Sequence, residues 1–176
     1  MMGLNYKNLD EITRSHMLKE LEVGGYYESP RLRDGNFIAW KNVLQEAAKS
    51  FNDIWLEHQI DEKSLLKSHE TRHAAKGITT VKVPVNAAQS LAEGEFNRFY
   101  LRGICSRAIS EGYEYLRIYR AKSVDSPRSE SITKIGTLVK ADILLEELRK
   151  NNFTDNALGL PAGPNSGLSA EIVFEK

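Results

Sequence analysis

Residues 69–73 read His-Glu-Thr-Arg-His, the stretch whose residue types and spacing come nearest to a catalytic motif. On a helix, His69 and His73 at i and i+4 share a face, and Glu70 between them can act as base on a metal-bound water, the pattern of zinc hydrolases. Glu93, 20 residues beyond His73, is where a third ligand would be sought. The surroundings oppose this chemistry. Lys67, Ser68, Arg72 and Lys76 make the segment polar, Gly77 stops any helix within a turn of His73, and a strand containing Pro84 is expected next. Histidines exposed in a polar connector are the better expectation, and no metal or other cofactor is assigned.

Nucleophilic chemistry has less to stand on. Cys105 lies beside Ile104 in an apolar helical pattern, where a small buried thiol is the ordinary occupant, and the four histidines (16, 58, 69 and 73) are distant in sequence. No G-x-S-x-G elbow and no Walker loop occur, and the glycine-rich stretch Gly159 to Gly167 lacks the Lys-Ser/Thr of a phosphate loop. One cysteine also excludes an internal disulfide framework and a multi-cysteine zinc site. No catalytic residue is assigned.

A basic-aromatic block remains. Arg98 and Arg102 share a helix face, Arg107 follows, and Tyr115, Arg117, Tyr119, Arg120 and Lys122 come after it. Arginine beside tyrosine suits a protein–protein hot spot, and the same composition binds phosphates and stacks on bases. Internal pairing is open as well, because Glu95 precedes Arg98 by three positions and Arg102 by seven. With 24 Lys and Arg against 24 Asp and Glu, the net charge is zero and no global field draws the chain to nucleic acid or to a membrane. The charge is uneven, with residues 1–62 at net −4, 63–97 at +2, 98–128 at +4 and 129–176 at −2. Such blocks are either the solvated faces of one compact domain, the commoner case, or opposed patches that steer subunit association.

The elements that must position these residues follow from periodicity. A helix is expected over Leu9 to Glu22, capped by Asn8 or Asp10 and stopped by Gly24-Gly25. Phe37, Trp40, Val43, Leu44, Ala47, Ala48, Phe51, Ile54 and Trp55 predict one five-turn helix. Residues 57–76 are polar, either a loosely packed helix or a surface connection. A strand is predicted over Ile78 to Val85, a long helix over Ala87 to Glu111 ending at Gly112, and a strand over Tyr113 to Ala121 with Leu116 and Ile118 inward and Tyr115, Arg117 and Tyr119 outward. Ile132 to Val139 is expected as a strand, Ala141 to Lys150 as a short helix, and Leu168 to Phe174 as a closing strand after irregular, Pro- and Gly-rich backbone. The fold class is therefore α+β: an N-terminal helical region (1–62) and an α+β part (63–176) with a small mixed sheet, the two parts possible as one continuous domain.

Three segments carry a family resemblance: Leu9-Asp-Glu-Ile-Thr-Arg14, Leu91-Ala-Glu-Gly-Glu-Phe-Asn-Arg-Phe-Tyr100 and Leu158-Gly-Leu-Pro-Ala-Gly-Pro-Asn-Ser-Gly-Leu168. They are similar to bacterial and phage-encoded proteins of unknown activity, and the resemblance carries no catalytic residue with it. Together these observations favour a non-enzymatic structural subunit of a larger assembly, most sharply a phage head or virion component, with protein subunits as partners in an oligomer and no membrane. It would reside in the bacterial cytoplasm or in the virion. The alternatives are a nucleic-acid-contacting accessory protein using the Arg/Tyr block and a zinc hydrolase using His69, Glu70 and His73.

Overall fold

The computed structural model describes residues 3–175 of the chain. Its elements run α1 (Glu11–Val23), α2 (Phe37–Ser50), α3 (Asp53–Glu62), β1 (His69–Ala74), β2 (Gly77–Lys82), α4 (Ala87–Glu111), β3 (Tyr115–Arg120), α5 (Ser129–Lys134), β4 (Leu138–Lys140), α6 (Ala141–Lys150), α7 (Thr154–Ala157) and β5 (Leu168–Ile172). The fold is α+β. Helix α4 is its axis: α1, α3 and α6 pack along it and β5 crosses it. One apolar cluster runs from Met17 and Trp40 through Phe96, Phe99 and Ile104 to Leu148 and Ile172, so residues on both sides of position 62 share a core.

The expected helix over residues 37–55 is two helices. Phe51 leaves the helix, and Asn52 adopts extended backbone and accepts the Trp55 N–H at 2.9 Å, starting α3 in a new direction. Trp40 is buried, whereas Phe51 is exposed and stacks on Trp55 with ring centroids 4.2 Å apart. A local side-chain cap therefore overrides an apolar stripe that the sequence carries straight through. At α1 the expected start is met: Asp10 accepts the Thr13 N–H at 3.0 Å. Burial works to raise the Asp10 pKa, but that hydrogen bond and the Arg107 guanidinium outweigh it and hold the carboxyl below its ordinary value.

The sheet also differs from expectation. It is antiparallel throughout rather than mixed, in the order β4-β3-β5. The segment after Gly77 is not part of it; β2 pairs with β1 in a separate hairpin. The strand expected from Ile132 is split, with 129–134 helical and β4 confined to three residues after the turn at Gly136, where φ is +84°. Strand β5 has its outer edge closed by side chains. Asn97 donates to Leu168 O at 2.8 Å, and the Ile172 N–H donates to Asn8 Oδ1 at 2.9 Å. Gly167, which leads into β5, has φ +76°, and a Cβ there would lie 2.3 Å from Lys122 O. Only glycine passes that point.

Two arginines of α4 point inward. Arg98 and Arg102 are each 1% exposed. Arg98 binds Glu95 through Nε at 2.7 Å and donates to Leu148 O at 3.0 Å and to Gly25 O. Arg102 donates to Glu20 Oε1 at 3.0 Å and to Gly24 O at 2.9 Å. Glu20 is shared with Arg149 at 2.7 Å. Two guanidinium groups thus tie the C-terminus of α1, the Gly24-Gly25 turn and the end of α6 to one helix. Burial pushes the Glu20 pKa upward, but hydrogen bonds from Arg149 and Arg102 win and its carboxyl sits below the usual range. A depressed carboxylate adds stability above its unfolded-state pKa and loses it as pH falls through the folded-state value. Glu20→Gln should therefore cost about 3–5 kcal/mol at neutral pH, leaving two arginines short of a partner, and the difference from wild type should shrink in acid. Urea unfolding across a pH series measures both.

Candidate functional site

The residues singled out as a basic-aromatic surface divide into buried and exposed sets. Arg98 and Arg102 are withdrawn from any partner by the pairs just described. Tyr119, expected on the outward strand face, is covered: its hydroxyl donates to Asn5 O and receives the Lys7 N–H at 3.1 Å, while Lys7 Nζ sits 4.3 Å from the ring centroid. Segment 5–8 lies across that face like a strap. Arg120 donates to Ser166 O at 2.8 Å and to Ser131 Oγ at 3.1 Å, and Lys122 pairs with Glu93. What remains open is Tyr115 and Arg117, whose side chain is 47% exposed with Glu171 Oε1 at 3.8 Å. Opposite Arg117 in the ladder stands Leu138. Sequence inspection passed over this neighbour because Ile132, Ile135 and Leu138 look like the interior of a strand. In the fold all three are exposed, on a segment that ends in the open edge of the sheet.

His69-Glu70-Thr71-Arg72-His73 is a strand rather than a helix. On β1, His69 and His73 share a face but are separated by about 13 Å of extended chain, and Glu70 points to the opposite side. Both imidazoles cannot reach one zinc ion at ligand distances near 2 Å from that spacing. Glu70 is held by Arg31 at 2.7 and 3.1 Å and by Arg72 at 3.2 Å. Arg31 is the main cause of its depressed pKa, so it is an ion-pair partner and not a base awaiting a proton. Glu93, the imagined third ligand, is engaged by Lys122 and by Gln89 at 3.1 Å. Among the described residues no group of three or more His, Cys, Asp or Glu side chains is placed to hold a metal ion. Cys105 is buried in α4, and burial raises its thiol pKa far from the range of a reactive thiolate.

A cleft of about 410 Å³ lies between the 27–31 connector, the first turns of α4 and the 163–165 loop. Its charged groups are spent within the protein, Arg31 on Glu70 and Glu95 on Arg98. Tyr27 and Phe153 meet edge-on at 5.1 Å on one wall, and Asn165 closes the top by donating to Ser90 O at 3.1 Å. The loop over it is held by Arg128, which binds Asp155 at 2.9 Å and donates to the carbonyls of Pro161 and Pro164. Asp155 in turn accepts from the Ser166 N–H and hydroxyl. The cleft offers shape, hydroxyls and amides, with its charges already matched.

Compared with protein-family models, with curated proteins and with solved structures, the chain has no match in any of the three. Function is therefore argued from the geometry above. Among the described residues no helix is long and apolar enough to cross a membrane.

Two glycines bordering these features should behave oppositely. Gly94 lies inside α4 with ordinary van der Waals room for a Cβ, 3.6 Å from Asn165 Oδ1. Gly94→Ala should raise stability by about 0.5–1 kcal/mol. Gly167→Ala should lower it by about 2 kcal/mol or more, since it meets both a left-handed φ and the Lys122 carbonyl. Denaturant titration of both variants provides the comparison.

Proposed function

We propose that this protein is a non-enzymatic subunit of a larger protein assembly, docking through the open β4 edge and the outer face of β3. Its strongest support is Leu138, 54% exposed and opposite Arg117 in the ladder, with Ile132 and Ile135 exposed on the segment before it and Tyr115 exposed two residues from Arg117. An edge strand presents unpaired backbone donors and acceptors, and proteins that must stay monomeric usually blunt such edges with charge or cover. Here β5 is covered by Asn8 and Asn97, whereas among the described residues β4 carries no such cover and only one charge, Lys140 at its end. Tyrosine and arginine next to aliphatic side chains is also the composition of interface hot spots. The catalytic alternatives find less support: the histidines of the H-E-x-x-H motif are far apart and Cys105 is buried. The likeness of three sequence segments to bacterial and phage-encoded proteins leans this reading towards a virion or head-associated particle as the assembly.

Leu138→Glu, and separately Tyr115→Ala with Arg117→Ala, should each weaken incorporation into that particle by about 2 kcal/mol, roughly thirtyfold. Because these side chains are exposed, the isolated protein should unfold within about 0.5 kcal/mol of wild type. Mass spectrometry of purified particles, with light scattering on the isolated chain, reads both. A wild-type protein that stays monomeric and enters no particle would end the proposal.

A further inference from the structure

We infer that the β1–β2 hairpin is an arm that binds the phosphate backbone of double-stranded nucleic acid, with its ribbon lying in the major groove. The hairpin stands off the core. From His69 to Lys82 every residue is exposed except Glu70 and Val81, which are half-buried at the base. The base itself is firmly held. Arg31 clamps Glu70 with two hydrogen bonds, the Lys67 N–H donates to Arg31 O at 2.7 Å, the Val83 N–H donates to Ser68 O at 2.9 Å, and Leu32 bridges to Leu66. A two-stranded ribbon with no core of its own is marginal in water, so one that projects needs this kind of anchoring, and its exposed faces are free for a partner.

Charge and composition identify the partner. Residues 63–85 carry five Lys or Arg and a single acid, Glu70, which Arg31 neutralises through two hydrogen bonds, while Arg72, 3.2 Å from it and 56% exposed, keeps donors free for a partner. The register places His69 opposite Lys82, Thr71 opposite Thr80 and His73 opposite Ile78, so one face is a row of hydrogen-bonding groups with one aliphatic residue near the tip. Lys76 sits in the turn, beside Gly77 at φ +122°. Lysine, arginine, threonine and histidine are donors suited to phosphate oxygens. A protein partner would be met by aromatic residues, methionine and few lysines, and the blade has no aromatic residue or methionine. A paired ribbon of six residues per strand is about 20 Å long, and the major groove, about 12 Å wide, admits a two-stranded β-ribbon. The zero net charge of the chain is no obstacle, because binding follows the local field over a Debye length of about 10 Å.

The test uses the full-length protein and a fluorescent duplex of arbitrary sequence, about 20 base pairs long, followed by anisotropy between about 50 and 200 mM salt. Wild type should bind, with affinity falling steeply as salt rises. The triple variant Arg72→Gln, Lys76→Gln, Lys82→Gln should bind at least about tenfold more weakly, with the log–log salt slope reduced by about 2.7, or 0.9 for each lost phosphate contact. Its thermal melt should match wild type, since all three side chains are outside the core. Leu138→Glu should bind the duplex as wild type does, which separates this inference from the assembly surface on β4. Three results would overturn it: no duplex binding at about 50 mM salt, a triple variant with unchanged affinity and slope, or equal or tighter binding of polyglutamate or of the separated single strand.

Discussion

Everything in this fold is arranged around two buried guanidinium groups on one helix. Arg98 and Arg102 lie a turn apart on α4, and between them they reach Glu95, Glu20, the carbonyls of Gly24 and Gly25, and the C-terminal carbonyl of Leu148. Buried charge is tolerable only when paired and hydrogen-bonded on nearly every donor, and here the partners come from three separate stretches of chain. The consequence is directional. α1 and α6 cannot slide along α4 without breaking charge-assisted bonds, so apolar packing by Phe96, Phe99 and Ile104 is held in one register. The left-handed glycines at 24 and 25 serve the same end, because their carbonyls must turn inward to be received.

That arrangement explains why the chain was legible in some places and opaque in others. The bounds of α4 and α6 follow from apolar periodicity and from Gly112, and the structure agrees with them. The polar residues of α4 could not be placed the same way. From Glu95 to Cys105 the helix is buried around its whole circumference, so Arg98 and Arg102, which sequence leaves open between a surface and an internal pairing, are interior. The break between α2 and α3 was hidden for a different reason. The apolar stripe continues through it, and one Asn52 side chain decides the matter locally. Over Ile132 to Val139 a strand is expected, but the turn at Gly136 leaves β4 three residues, Leu138–Lys140, and residues 129–134 wind into α5.

The candidate surfaces were legible in residue type more than in position. Tyr115 and Arg117 face outward as their alternation suggests. Tyr119, two residues on, is lost to solvent because segment 5–8 lies over it, a contact across 114 positions that no local pattern encodes. His69 and His73 are exposed, as their polar surroundings imply. Their strand geometry needed the pairing partner at 77–82, and a polar sequence with little alternation gives small warning of a hairpin.

The strap formed by residues 5–8 sets an order of events during synthesis. Asn8 receives the backbone of Ile172, 164 positions later, and its own N–H rests on Tyr100. A growing chain can therefore wind α1, dock it on α4 and rest Asn8 on Tyr100 while the strand whose edge Asn8 also closes is still to be made. The outer edge of β5 is sealed by Asn8 and Asn97, both made well before it, and the seal forms only once β5 has left the ribosome. Until then an apolar strand and its bare backbone are open to neighbours, so the interval between translation and closure is when this chain is most exposed to mispairing.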